Sequence, residues 1–141
     1  MVTKSGWCLW CLAVSLLFLS GCAASGAAFR KVDTAANEGK AVVYVYRPYS
    51  IFGAAVESNV TCGSNGVHLK PGGYHAFVVE PGGTECVARS EVTEQVMVNV
   101  KAGEEGFVKA TLGMGMMKGR THLELVDKAT GLEEIQDCKL Q

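Results

Sequence analysis

Between residues 62 and 103 the chain is cut repeatedly by turn signals. Asn65-Gly66, Pro71-Gly72-Gly73, Pro81-Gly82-Gly83 and Ala102-Gly103 all interrupt it. Glycine supplies backbone angles that other residues resist, and proline presets its own and withholds an N–H, so such clusters end regular elements. Most of the intervals left over suit short strands and are too short for helices of ordinary length.

The intervening residues alternate as strands do. Val56, Ser58, Val60 and Cys62 lie on one side, Glu57, Asn59 and Thr61 on the other. Val67 and Leu69 oppose His68 and Lys70, and Val96, Val98 and Val100 oppose Met97, Asn99 and Lys101. Successive side chains of a strand point to opposite faces, so each series predicts one buried face. Residues 41–47, Ala-Val-Val-Tyr-Val-Tyr-Arg, are apolar on both faces and predict a central strand that Pro48 ends. Further strands are expected over 74–79, 84–92, 106–112 and 121–127, the last with Leu123 and Leu125 inward. Asn65-Gly66 is the strongest local hairpin signal. Thr130 with Glu133 fits a capping box and predicts a short terminal helix with Leu132 and Ile135 on its apolar edge. The expected fold is all-β: an antiparallel β-sandwich of about seven to eight strands with a short C-terminal helix.

The first 22 residues have a different organisation. Lys4 is the only charge before an apolar stretch over 7–18, and Leu19-Ser20-Gly21-Cys22 closes it. That order resembles a bacterial lipoprotein signal. The stretch falls short of the roughly 20 residues a membrane-spanning helix requires. The resemblance implies a signal peptide over 1–21 and a lipid on Cys22, the new first residue. Ala23 follows where an Asp would favour inner-membrane retention, which points to the outer membrane. The alternative is a secretory signal cleaved near Ala23 or Ala28, leaving a soluble protein. Residues 22–40 are rich in Ala, Ser and Gly and read as a flexible tether of about 20–25 Å. Residues 41–141 then form one domain.

Processing at Cys22 sorts the six cysteines. Cys8 and Cys11 leave with the signal, so their C-x-x-C spacing carries no metal or redox meaning. Cys62, Cys86 and Cys138 face an oxidising compartment where disulfides persist. A Cys62–Cys86 bridge is favoured, although Cys62–Cys138 and Cys86–Cys138 stay open, because spacing does not settle connectivity. The leftover thiol, Cys138, has no neighbouring base and lies in what reads as a solvated tail.

At Val43-Tyr44-Val45-Tyr46-Arg47-Pro48 the chain resembles a family of small bacterial envelope domains, many of them lipoproteins, catalogued as a domain of unknown function. The likeness continues through Gly73-Tyr74-His75, Pro81-Gly82, Ala102-Gly103 and Phe107-Val108-Lys109, spanning most of residues 40–140. A looser similarity runs to PEGA-type β-domains. The resemblance implies fold and envelope location, and brings no activity.

Removing Lys4 leaves 12 basic against 14 acidic residues, near −2, with no basic patch for nucleic acid. The phosphate-binding glycine loop and the Gly-x-Ser-x-Gly nucleophile elbow are both absent, so nucleotide binding and serine hydrolysis have no support. His68 and His75 would face each other only if the Pro71 turn has two residues. The loop 113–119, Gly-Met-Gly-Met-Met-Lys-Gly, is the oddest stretch. It is read either as a loop tucking one or two methionines onto the core, or as a partner or membrane contact through Met114, Met116, Met117, Lys118 and Arg120. A third option is a Cu(I) site on the three thioethers with His122, since thioethers suit soft metals. The functional reading is a non-enzymatic binding or assembly module. It needs no cofactor, is held at the membrane through Cys22 and has an envelope protein as partner; the alternative is periplasmic copper handling.

Overall fold

The computed structural model describes residues 23–33, 37–117 and 119–141. The expected signal peptide, Cys22 and Lys118 lie outside the described residues. Nine strands are present among the described residues, in order β1 (Ala41–Arg47), β2 (Ser58–Cys62), β3 (Asn65–Leu69), β4 (Gly73–Val79), β5 (Gly82–Arg89), β6 (Thr93–Val100), β7 (Glu105–Gly113), β8 (Arg120–Val126) and β9 (Lys139–Leu140). Helix α1 (Lys128–Glu134) and one 3-10 turn, Ile135–Asp137, separate β8 from β9.

The strands form two sheets, one of order β8-β7-β1-β4-β9 and one of order β3-β2-β5-β6. The expected sandwich is therefore present, with one strand beyond the seven or eight expected. Pairing is mostly antiparallel, but β1 runs parallel to β7 and β4 parallel to β9. β1 is the hub. All seven of its residues are buried, because its two faces meet different layers. Val43 and Val45 pack toward the four-stranded sheet with Val60, Phe77, Val98 and Val108. Val42, Tyr44 and Tyr46 face the other way, onto Phe107, Ile135 and Cys138. One face is narrow and β-branched, the other aromatic, as a strand buried on both sides requires.

The aromatic face is covered by α1 and by residues 24–32. Phe29 packs edge-on against Tyr44 and Tyr74, with ring centroids 5.5 and 5.2 Å apart. The Val32 N–H donates to the Tyr44 hydroxyl at 2.8 Å, and Ala28 bridges to Lys139. Over 24–32 the segment expected as free tether thus lies against the sheet. Its Ala/Ser/Gly composition conceals one aromatic anchor, and rings gain most from burial when a partner ring is in reach.

Several local expectations shift. The first hairpin turns at residues 63 and 64, not at Asn65-Gly66, because Cys62 pairs with Asn65; Gly63 takes the positive φ of 59°. β3 and β4 lie in different sheets, so Pro71-Gly72 carries the chain between layers and His68 does not oppose His75. Leu125 is exposed on the edge strand β8. Helix α1 starts earlier than the capping box implied: Asp127 is the N-cap, accepting from the Ala129 and Thr130 N–H groups at 3.0 and 3.1 Å.

Candidate functional site

Topology gathers one set of loops at one end of the sandwich. β1 and β7 are parallel and so end toward the same side, β7 running on to Gly113, while β4 starts where β1 ends. The β1–β2 loop, the 70–72 turn, the β5–β6 turn and the β7–β8 loop therefore share that end. Glu91 of the β5–β6 turn accepts from the Met116 N–H at 2.9 Å and from the Met117 N–H, joining two of these loops. Leu112 brings the β1–β2 loop against the β7–β8 loop: a Cβ on Gly53 would collide with Leu112 Cδ2, and one on Gly119 would lie 3.3 Å from the same atom.

Most of the large exposed apolar residues of the described chain stand here. Tyr49, Ile51 and Phe52 project from the β1–β2 loop, Val92 from the β5–β6 turn, and Met114, Met116 and Met117 from the β7–β8 loop. Ile51 is 85% exposed, and Met116 and Met117 are 90% and 92% exposed. None of the three methionines tucks onto the core. Glu91 holds the backbone of Met116 and Met117, and all three thioether side chains are exposed. Exposed apolar residues scattered singly are ordinary, but a cluster at one end marks a contact surface.

Arg47 builds the first of these loops. Its side chain is buried, 2% exposed, with no carboxylate among its hydrogen-bond partners in the described residues. The guanidinium donates to the Gly53 carbonyl at 2.9 Å, the Val56 carbonyl, the Ser58 hydroxyl at 3.3 Å and the Leu69 carbonyl at 3.4 Å. Burial pushes its pKa below the ordinary arginine value. The Tyr-Arg-Pro sequence is thus a clamp: the planar fork spans acceptors on the loop and on the facing sheet, which a single ammonium could not do.

Two ion pairs lie at this end among the described residues. Arg120 Nε lies 3.7 Å from Glu91 Oε2, and Lys70 Nζ 4.0 Å from Glu57. Arg120, a sequence candidate for membrane or partner contact, is therefore turned toward Glu91.

The remaining candidates lie apart from this surface. Cys62 and Cys86 are joined by a disulfide at directly opposed positions of β2 and β5, with Cα atoms 4.1 Å apart. Cys138 is free and buried rather than part of a solvated tail; its Sγ lies 3.8 Å from the Arg47 carbonyl, and burial pushes the thiol up to about 11. His122 on β8 meets Glu94 through Nδ1 at 2.9 Å. His75 Nδ1 contacts the Gln141 carbonyl. No group of three His, Cys, Asp or Glu residues is placed to hold a metal ion among the described residues.

A groove of about 380 Å³ opens at the opposite end, lined in part by Lys40, Ser64, Glu80 and Glu85. Lys40 and Glu80 are ion-paired with each other, and Cys62 on its wall is held in the disulfide. The groove offers neither a thiol nor a histidine for covalent or acid–base chemistry.

Alternation could not mark Tyr49, Ile51 and Phe52, because they belong to no strand. The available signal is their position: three large apolar residues between Pro48 and Gly53, where turns are ordinarily polar.

No protein-family model and no curated protein matches the chain.

Proposed function

We propose that the protein is a bacterial envelope lipoprotein, anchored through a lipid on Cys22, whose β-domain serves as a non-enzymatic binding or assembly module. The observation that carries this reading is Leu19-Ser20-Gly21-Cys22 at the close of an apolar run. The Cys62–Cys86 disulfide is compatible with it, since such bonds persist in oxidising compartments. The likeness to small envelope domains adds the location, and the alanine after Cys22 favours the outer membrane. The apolar loop end supplies a surface for contact.

Blocking lipoprotein signal processing in the cell tests the anchor. Intact-protein mass should then rise by the signal peptide, and untreated cells should yield a diacylglycerol-bearing Cys22. An unchanged mass overturns the reading. Crosslinking in cells followed by purification tests for an envelope protein partner.

A second reading, Cu(I) handling through Met114, Met116, Met117 and His122, rests on three outward-facing thioethers in one loop. Native mass spectrometry with micromolar Cu(I) decides it, and protein recovered without copper eliminates it.

A further inference from the structure

We infer that the apolar loop end docks on the phospholipid surface that holds Cys22, so that the domain sits on the membrane with its β1–β2 and β7–β8 loops in the lipid interface. This rests on the anchored reading and adds an orientation to it. The Ala24 N–H donates to the Pro71 carbonyl at 3.1 Å, which pins residue 24 to the 70–72 turn. That turn belongs to the apolar end: a Cβ on Gly72 would lie 3.7 Å from Tyr49 Cβ. Ala24 follows Cys22 by two positions, a span of at most about 7 Å. The lipid attachment point is therefore tied within about 7 Å of Ala24, and so to the end of the sandwich that carries the 70–72 turn. A free tether over 22–40 would have let any face meet the membrane; a segment packed from Ala24 onward selects one.

The chemistry of the end suits that occupant. Its side chains are aliphatic, aromatic and thioether, which gain free energy on leaving water for the interface, in proportion to the apolar area buried. Tyr49 carries a hydroxyl on an apolar ring, the combination found at headgroup depth. The acidic groups there, Glu91 and Glu57, have Arg120 and Lys70 beside them, which lowers the cost of bringing this end to a surface of low dielectric constant.

The test uses the fact that both tryptophans, Trp7 and Trp10, precede Cys22. Mature protein holds none, so each introduced tryptophan reports alone. Ile51→Trp, Met116→Trp and, as a far-end comparison, Leu125→Trp replace exposed side chains. Each lipidated protein is placed in phosphatidylethanolamine/phosphatidylglycerol vesicles with brominated acyl chains. Emission of the Ile51→Trp and Met116→Trp proteins should shift to the blue and lose most of its intensity, while Leu125→Trp should emit as in water. Water-like emission from all three overturns the docking while leaving the anchor intact. A blue shift without bromine quenching also overturns it, because protein would then cover the loops. A mass lacking the lipid on Cys22 removes the anchored reading and the docking with it.

Discussion

Arg47 shows how one buried charge organises a surface. Its fork satisfies carbonyls of the β1–β2 loop and of β3 at once, so the loop holding Tyr49, Ile51 and Phe52 has a built shape. Arg47→Ala should lower unfolding free energy by about 3 kcal/mol, the scale of a charged hydrogen-bonding group removed from buried partners. Arg47→Lys should recover little of it, because a point charge cannot span the same acceptors. Urea denaturation of both variants measures this. Cys138 makes a second prediction. Burial favours its neutral thiol and raises its pKa to about 11, from an ordinary value of 9.0. The stabilisation it brings is complete below the unfolded value and is lost as pH rises through the folded one. Iodoacetamide should hardly modify the folded protein at pH 8 and should react at once in denaturant. Rapid alkylation of folded protein would contradict the burial. The sequence favoured Cys138 as the unpaired thiol without settling the pairing, and gave no sign of its depth, because burial came from α1 folding back over β1.

At the level of elements, α1 is seated by what it lacks. A Cβ on Gly131 would stand 2.5 Å from Phe107 Cγ, so the helix reaches β7 only through a glycine. On an exposed helix, alanine in place of glycine stabilises by up to about 1 kcal/mol. Here Gly131→Ala should instead destabilise, by about 1–3 kcal/mol, the usual range for overpacking. Thermal melting compares the two. Glu105 at the start of β7 binds this layer from its edge, meeting Lys128 of α1 at 2.8 Å and Lys31 of the N-terminal segment at 3.3 Å. Burial opposes its ionisation, but the two lysines outweigh burial and hold its pKa below the ordinary carboxylate range. The lowered folded pKa makes its contribution present above about pH 4.5 and lost as pH falls through the folded value. Both lysines are half exposed, so Glu105→Gln should cost about 1 kcal/mol at pH 7. The gap from the unmodified protein should narrow in acid. The hairpin shows why alternation locates strands better than turns. Moving the turn from 65–66 to 63–64 shifts the pairing by an even number of residues, and every side chain keeps its face. The hydrophobic pattern is blind to such a shift.

For the whole molecule, a disulfide ties two neighbouring strands of the four-stranded sheet, and a crossed topology orders the five-stranded one. Cys62 and Cys86 join neighbouring strands across a separation of 24 residues. Replacing both with serine should cost about 3 kcal/mol by the loop-closure argument, read as a lower urea midpoint for the variant than for the unmodified protein. A variant of unchanged stability would show that the crosslink adds no net restraint to the unfolded chain. The same topology sets all the apolar loops at one end. Met114, Met116 and Met117 drew notice as a sequence oddity, whereas Tyr49, Ile51 and Phe52 did not, and nothing in linear order places the two groups side by side. Their meeting follows from β1 and β7 running parallel, a pairing between strands far apart in the chain.

What the amino-acid order determined by itself was local: which runs become strands, that 41–47 is buried on both faces, where the chain turns within a residue or two, and the apolar run closed at Cys22. These follow from steric and hydrophobic preferences acting over a few neighbours. Only the tertiary structure decided which sheet each strand joins, the parallel pairing of β1 with β7, the seating of residues 24–32 on the aromatic face, and the single end where the exposed apolar loops converge. Those outcomes depend on contacts between distant residues, whose energies have no signature in any short window of the chain.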